Sequence, residues 1–342
     1  MPSPLRELTA GKARDFIREP EAVVWVFLFP MLLALVLGFA FREKPPDRTP
    51  IGVVAGPGAG PALTALERSP GLLPRQYSAE EGRSALRTGK ISLLVEPGPP
   101  VVFRFDETRP DSRIARLEAE DSLQRAAGRT DRLPVRDEKV TEKGARYIDF
   151  LLPGLIGMNL MGTGIWSLAF SIVNARSRKV LKRLIATPMR RSDYLLSQIL
   201  GRLVFLVPEI VLLGGFGWLI FDVPMRGSVI LFFALCLLGA ISSCGIGLLV
   251  ASRVTTVEGA SGLANLVMIP MWLLSGVFFS SERFPDAVQP LLRALPLTAL
   301  NNALRAVMNE GHGLAQIAPQ LAIIAAWGIV SFAVALKIFR WK

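Results

Sequence analysis

The chain has 342 residues, of which 51% are hydrophobic, and carries a formal net charge of +11 at neutral pH. So much apolar content beside so much cationic excess excludes an ordinary soluble domain and fits a membrane protein with Lys- and Arg-rich loops on one side. One His and two Cys leave little scope for a metal site, and Cys236 and Cys244, about 12 Å apart along one helical segment, are too distant for a disulfide.

In chain order, residues 1–20 show no short apolar core followed by a small-residue cleavage site, so no signal peptide is read there. Leu5, Leu8, Phe16 and Ile17 fall on one side of a helix, with Arg6, Lys12, Arg14 and Arg18 outside it. That predicts a cytoplasmic interfacial helix; a disordered basic leader is the alternative. A span through lipid needs about 20 mostly apolar residues. Six segments qualify: 21–41, 148–173, 195–221, 227–251, 259–280 and 316–338.

Between the first two spans, residues 42–147 turn polar, with mixed charge, Pro and Gly. IGVV (51–54), ISLLVE (91–96) and VVFRFDE (101–107) read as strands. PALTALERS (61–69), SAEEGRSALRTG (78–89) and RPDSRIARLEAEDSLQRAAG (109–128) read as helices, the last capped by Asp111 or Ser112. The expected fold is an α-helical membrane protein: six transmembrane helices with a small α/β domain inserted between the first and second.

Lys and Arg in the short loops set the orientation. With the N-terminus inside, the inner side collects Arg6, Lys12, Arg14, Arg18, the cluster 176–191, Arg253, Lys337, Arg340 and Lys342. The outer short loops hold only Arg226, Arg283, Arg293 and Arg305. Both termini are therefore expected in the cytoplasm and the 42–147 domain outside it.

The most cationic run, VLKRLIATPMRRSDYLL (180–196), then lies on the cytoplasmic side between the second and third spans. ARSRKVLKRLIATP (175–188) reads as one amphipathic helix, with Val180, Leu181, Leu184 and Ile185 on its apolar face and Pro188 ending it. Its partner is either anionic lipid or an acidic groove on a cytoplasmic protein, and simple positive-inside anchoring is the plainer account. Anchoring does not explain the specific LxxLIATP pattern.

The whole chain resembles the membrane subunit of an ABC-2 type transporter, of the variety with a large extracytoplasmic domain after the first helix. The resemblance rests on REPEAVVWVFLFPMLLALVLGFAF, on TPIGVVAG through GKISLLVEPG to VVFRFDETRPDS, on LKRLIATPMRRSDYLLSQILGRL, and on LLSGVFFSSERFPDAVQPLLRALPLTALNNALRAVMNEG. It implies that segment 175–188 is a coupling helix seated in a cleft of a separate ATP-binding subunit, with Arg176, Leu181, Leu184, Ala186, Thr187 and Pro188 at motif positions. The family usually carries a Glu-Arg-Glu-x-Gly-Thr-like run here. This chain has Ala175, Arg176, Ser177, Arg178, Lys179 and Val180, and only the Arg agrees. The surplus charge points to a partner with an acidic cleft.

No GxxxxGK[ST] occurs. GRSALRTGK (82–90) has the wrong spacing, with Ile91 in place of the Ser or Thr. The chain is therefore expected to be a permease and not an enzyme, holding no catalytic residue, metal or cofactor, with ATP and Mg on the partner ATPase. The resemblance also implies a second permease copy, most simply a homodimer. Membrane lipid and a periplasmic adaptor complete the expected partners, nucleic acid is not among them, and the location is the bacterial inner membrane.

Glu209, mid-span in FLVPEIVLL, either lines a substrate route, or is protonated, or pairs with Arg202, Asn159 or Asn265; Pro208 before it kinks the helix. Gly239, Ser243 and Gly247 allow close helix contact, within one subunit or at a dimer seam. Residues 281–305 read as a helix pair dipping into the outer leaflet before the last span. The resemblance makes Phe284, Pro285, Pro296, Leu297 and Arg305 an outer gate; a plain interfacial loop is the alternative. The substrate expected from the family is amphiphilic: a drug, a lipid or a lipid-linked molecule. Rival readings are an ion-coupled transporter using Glu209 and a membrane-anchored sensor whose outer domain binds a ligand. His312 stands alone and is read as an ordinary loop residue.

Overall fold

The computed structural model describes residues 4–18, 20–41, 48–130, 133, 146–185 and 191–340. The chain divides into two compact units, Glu43–Val140 and a second made of Met1–Arg42 with Thr141–Lys342.

The chain opens with α1 (Pro4–Arg18), then α2 (Pro20–Val23), a π-helical turn (Val24–Leu28) and α3 (Phe29–Ala40). The irregularity has a cause in the sequence. Pro30 lacks an N–H, so the helical bond that would end on the Val26 carbonyl cannot form.

The smaller unit contains β1 (Thr49–Val54), α4 (Ala59–Glu67), β2 (Leu72–Tyr77), α5 (Ala79–Arg87), β3 (Leu93–Glu96), β4 (Val102–Phe105) and α6 (Pro110–Ala126). The sheet order is β2-β1-β3-β4; β1 runs parallel to β2 and β3, and β4 is antiparallel to β3. Ile51, Val53, Leu93 and Val95 point to the face where α4 and α6 bring Leu66, Ala115 and Ala119. Leu94 points to the opposite face, against Ala85 of α5. That face needs Gly52, because a Cβ there would sit 2.8 Å from Ile91 and 2.9 Å from Leu94. A Ser78–Glu81 capping box starts α5 and holds the Glu81 carboxyl below its usual range through the Ser78 hydrogen bonds.

Two local expectations fail in this unit. LLPRQY (72–77), where no strand is expected, forms β2; it lies at the sheet edge, where the missing donor of Pro74 is tolerated. Neither Asp111 nor Ser112 caps α6; Arg109 is its N-cap and Pro110 occupies the first turn, where no N–H is needed.

The larger unit continues with α7 (Tyr147–Ser177), α8 (Val180–Ile185), α9 (Arg191–Val204), α10 (Leu206–Phe221), α11 (Val229–Ala251), α12 (Val257–Leu274), α13 (Gln289–Arg293), α14 (Pro296–Met308) and α15 (Ala318–Ile338). Among the described residues, five segments are long and apolar enough to cross a membrane: Tyr147–Ser177, Asp193–Phe221, Val229–Ala251, Val257–Leu274 and Ala318–Ile338. Val24–Ala40 is apolar but shorter. The chain is mostly helical and built as a multi-pass membrane protein.

α7 is the central helix and is buried along most of its length, whereas α12 is largely exposed. α7 and α11 cross closely because neither can carry a larger residue at the contact. A Cβ on Gly164 would lie 2.6 Å from Ser243, and one on Gly247 would lie 2.9 Å from the Ile165 backbone. Gly239 faces Leu300 of α14. The small residues of α11 are therefore used within the chain. Pro208 breaks the third apolar segment four residues upstream, so α9 ends at Val204 and α10 starts at Leu206.

Candidate functional site

On α7, Asn159, Thr163, Ser167 and Ser171 recur every fourth residue, which puts their polar groups on one helix face. Asn159 Nδ2 donates to the Val26 carbonyl at 2.9 Å, the same carbonyl that Pro30 deprives of its helical donor. Thr163 Oγ1 accepts from Arg202 and lies 3.4 Å from Glu209 Oε1. Ser171 Oγ accepts from Lys12 of α1 and donates to Gln198 Oε1 at 2.8 Å. Lys12, placed on the polar side of α1 by its periodicity, is in fact turned inward onto α7.

Glu209 is only 3% exposed, and its carboxylate pairs with the Arg202 guanidinium across the α9–α10 break. Without the break at Phe205, residues seven apart would stand about 10 Å apart along one helix. Ser167 Oγ, Arg202 Nε and Arg202 Nη1 find no hydrogen-bond partner among the described residues. Of the three partners weighed for Glu209, the structure selects Arg202. Asn159 is committed to Val26, and Asn265 is exposed on α12.

At the start of α7, a second polar row lies on α14: Asn301, Arg305 and Asn309. Asn301 Nδ2 donates to Ser275 O at 3.0 Å, and Asn309 Nδ2 to Asp149 O at 2.8 Å. Arg305 donates to Phe150 O at 3.1 Å and to Gly276 O, with its guanidinium 3.6 Å from the Phe150 ring centroid. Tyr147 Oη donates to Phe278 O at 3.0 Å, and Gln289 Nε2 bridges Ser281 O and Phe284 O at 2.8 and 2.9 Å. These bonds fix the turn that follows α12. Asp149, 0% exposed, accepts a fork from Arg146 at 2.8 and 2.9 Å.

Pro296 opens α14 and is buried, Leu297 packs beside Gly157, Phe284 is half-buried against Phe279, and Pro285 is exposed. Arg305, Pro296 and Leu297 therefore belong to one packed cluster, with Phe284 and Pro285 at its rim. The sequence reading missed Tyr147, Asp149, Gln289, Asn301 and Asn309. The four-residue spacing of Asn301, Arg305 and Asn309, with Asn302 the one other polar residue between them, was the available signal.

At the other end of α7, segment 175–188 does not form one helix. α7 runs to Ser177, Lys179 takes a left-handed φ of 57°, and α8 begins at Val180. Lys179 occupies the position where the resembled family has Gly, the residue that adopts this conformation without strain. Arg176 is buried, and its guanidinium gathers the carbonyls of Ala251 (2.8 Å), Ser252 (3.3 Å), Val254 and Arg340 (2.8 Å). It thereby ties the ends of α7, α11 and α15 together, in the favourable position of a cation at a helix C-terminus. Leu181 is 1% exposed, packed with Ile172, Val173 and Tyr194. Arg176 and Leu181 thus face their own chain and not the surface, because burying each satisfies carbonyls or apolar neighbours already present. The exposed edge is Ser177, Arg178, Lys179, Val180 and Arg183. Ala186, Thr187, Pro188 and the Leu184 side chain lie outside the described residues.

Among the described residues no group of His, Cys, Asp and Glu is clustered to hold a metal.

Similarity to known proteins accords with this geometry. One relative is ABC transporter G family member 20 of Dictyostelium discoideum, 28% identical over 170 residues, 50% of this chain and 23% of that protein. A second is the inner membrane transport permease YhhJ of Escherichia coli (strain K12), 24% identical over 175 residues, 50% of this chain and 46% of the relative. A third is the probable multidrug ABC transporter permease YbhS of the same strain, 24% identical over 347 residues, 90% of this chain and 89% of the relative. The matched stretch is thus less than half the length of the first two, whereas YbhS is matched almost end to end. Residues 21–337 match the family described as ABC-2 family transporter protein, and this multi-pass membrane chain belongs to that family.

Proposed function

We propose that this chain is the membrane subunit of an ATP-driven exporter, worked by a separate ATP-binding subunit that docks where α7 turns into α8. Family membership supports the reading, and one observation carries it: a rigidly braced cationic edge between two spans. Arg176 ties three helix ends together, and Arg178, Lys179, Val180 and Arg183 stand exposed beside that brace. A push on this edge would be passed to α7, α11 and α15 at once. Arg176 and Leu181 then act by holding the handle, and the exposed cations act by touching an acidic cleft.

In this reading α2, the π-helical turn and α3 make a sixth crossing, both termini lie in the cytoplasm of a bacterial inner membrane, and the α/β unit lies outside it, open to a periplasmic adaptor. Phe284, Pro285, Pro296, Leu297 and Arg305 form the outer gate. The working unit is a homodimer. Asn265 supports that arrangement, since an exposed amide in mid-span calls for a protein partner. The cargo is amphiphilic, in keeping with the multidrug description of the relative matched along most of its length. ATP and Mg bind the partner.

The test is co-purification with candidate ATPases and ATP-driven transport in vesicles, comparing wild type with Arg178→Glu/Arg183→Glu. We expect the double variant to insert and fold but to lose the ATPase and transport together. Retention of both would overturn the docking assignment.

A further inference from the structure

A half-open groove of about 460 Å³ runs between α12 and α15 over a floor of α11. Ile246 and Val250 form the floor, Val267 and Met271 one wall, and Trp327 the other. Leu292 of α13 and Leu295 after it close one end. α13 is only five residues long, and its Leu291 and Leu292 reach the groove at that end alone. Among the described residues, no segment other than α11, α12 and α15 lines the groove beyond α13.

The lining offers no polar group to a ligand. Ser331 is its one polar residue, and that side chain is 1% exposed. The Trp327 indole N–H is already given to Ala294 O at 2.8 Å. An extended protein segment laid here would bring backbone donors and acceptors with no partner to meet them, and a helix, which bonds itself internally, is about 10–12 Å across with its side chains, wider than this volume admits. Water is no better, since an apolar cavity of ~150 Å³ already stays dry. An alkyl chain needs no hydrogen bonds and fills the volume. From Leu263 to Leu274, both lining residues, the groove extends about 16 Å along α12, close to the half-thickness of a hydrocarbon core of ~30 Å. Arg293, exposed between Leu292 and Leu295, adds a cation beside the closed end, where the phosphate of such a lipid would lie.

We infer that this groove holds one acyl chain of a bilayer phospholipid as a resident part of the membrane subunit, with the lipid phosphate beside Arg293. The lipid would act as the missing lower half of α13, keeping α12 and α15 apart at a fixed spacing. The inference needs only the membrane location and not the exporter reading.

The test uses the purified full chain in vesicles of phosphatidylethanolamine and phosphatidylglycerol in equal parts, doped with phosphatidylglycerol bearing a mid-chain diazirine. Photolysis without ATP or partner should label the peptides carrying 263–274 and 291–295 several-fold more than those around Val211 and Leu212, which are exposed on α10. Val267→Trp should remove that excess while the α10 labelling, an internal check on insertion, stays unchanged. Arg293→Gln should reduce it for phosphatidylglycerol. Labelling of the groove no stronger than that of α10 would overturn the inference. So would a Leu263→Cys variant that cross-links to a second copy, or loss of label on adding an amphiphilic drug, since these give the groove to protein or to cargo. Wild-type labelling decides the matter even if a variant fails to fold.

Discussion

The two polar rows, on α7 and on α14, have the same four-residue spacing and opposite construction. On α14, Asn301, Arg305 and Asn309 bond main-chain carbonyls, of Ser275, Gly276, Phe150 and Asp149. On α7, Thr163 gives its hydroxyl to the Asn159 carbonyl one turn back at 2.6 Å, but apart from Asn159 the partners reached on other helices are side chains: Arg202 with Glu209, and Gln198 with Lys12. The first row is a clamp whose acceptors cannot be exchanged without moving backbone. The second is a seam whose members can trade partners, and it retains donors on Arg202 that are unpaired among the described residues. A helix that must shift against its neighbours is better served by the seam, and a turn that must hold its shape by the clamp.

The largest effect expected is at the seam. Glu209→Ala leaves Arg202 buried and uncompensated and should cost about 3–5 kcal/mol, read as thermal unfolding in detergent or nanodiscs. Arg202→Leu/Glu209→Leu should recover most of that loss, because both charges are gone. A double variant as damaged as the single would break the comparison. The same pair separates the exporter from its ion-coupled rival: the double variant should keep ATP-driven transport, whereas a carrier using Glu209 would lose it.

At the clamp, Arg305→Leu should cost about 2–3 kcal/mol, with Arg305→Lys between it and wild type, since an ammonium cannot fork to both carbonyls. No change of another side chain should rescue it. A side-chain suppressor found by selection would contradict the assignment to backbone.

The smallest effect sharpens the boundary case. Asn159→Leu strands the Val26 carbonyl and should cost about 1 kcal/mol. Pro30→Ala supplies an N–H to that carbonyl, so the loss at Asn159 should shrink in the Pro30→Ala background. Additive losses would mean that Asn159 and Pro30 are not linked through Val26.

Much of this was readable from residue patterns. Span length and apolarity placed the five long helical segments, and alternation placed three of the four strands, because each signal is local. Pro208 announced its break for the same reason. What the sequence withheld was direction. Periodicity put Lys12 on a polar face, and the resemblance put Arg176 at a partner surface. Each instead turns inward, towards Ser171 and towards the carbonyl ends of α11 and α15, partners brought close only by tertiary packing. β2 was hidden by Pro74, whose tolerance depends on being at a sheet edge that no local window reveals. The resemblance named Arg305 without its partners, and only the packing of α14 on α7 supplies Phe150 and Gly276.

The central claim is that the exposed cations, and not the buried motif residues, meet the ATPase. Single cysteines at Arg178, Arg183 and Leu181 can be cross-linked to the partner in native membranes, with buried Cys236 and Cys244 as background. The account predicts ATP-sensitive cross-links from positions 178 and 183 and none from 181. Cross-linking from 181 with silence at 178 and 183, or accessibility of all three only from the periplasmic side, would contradict it.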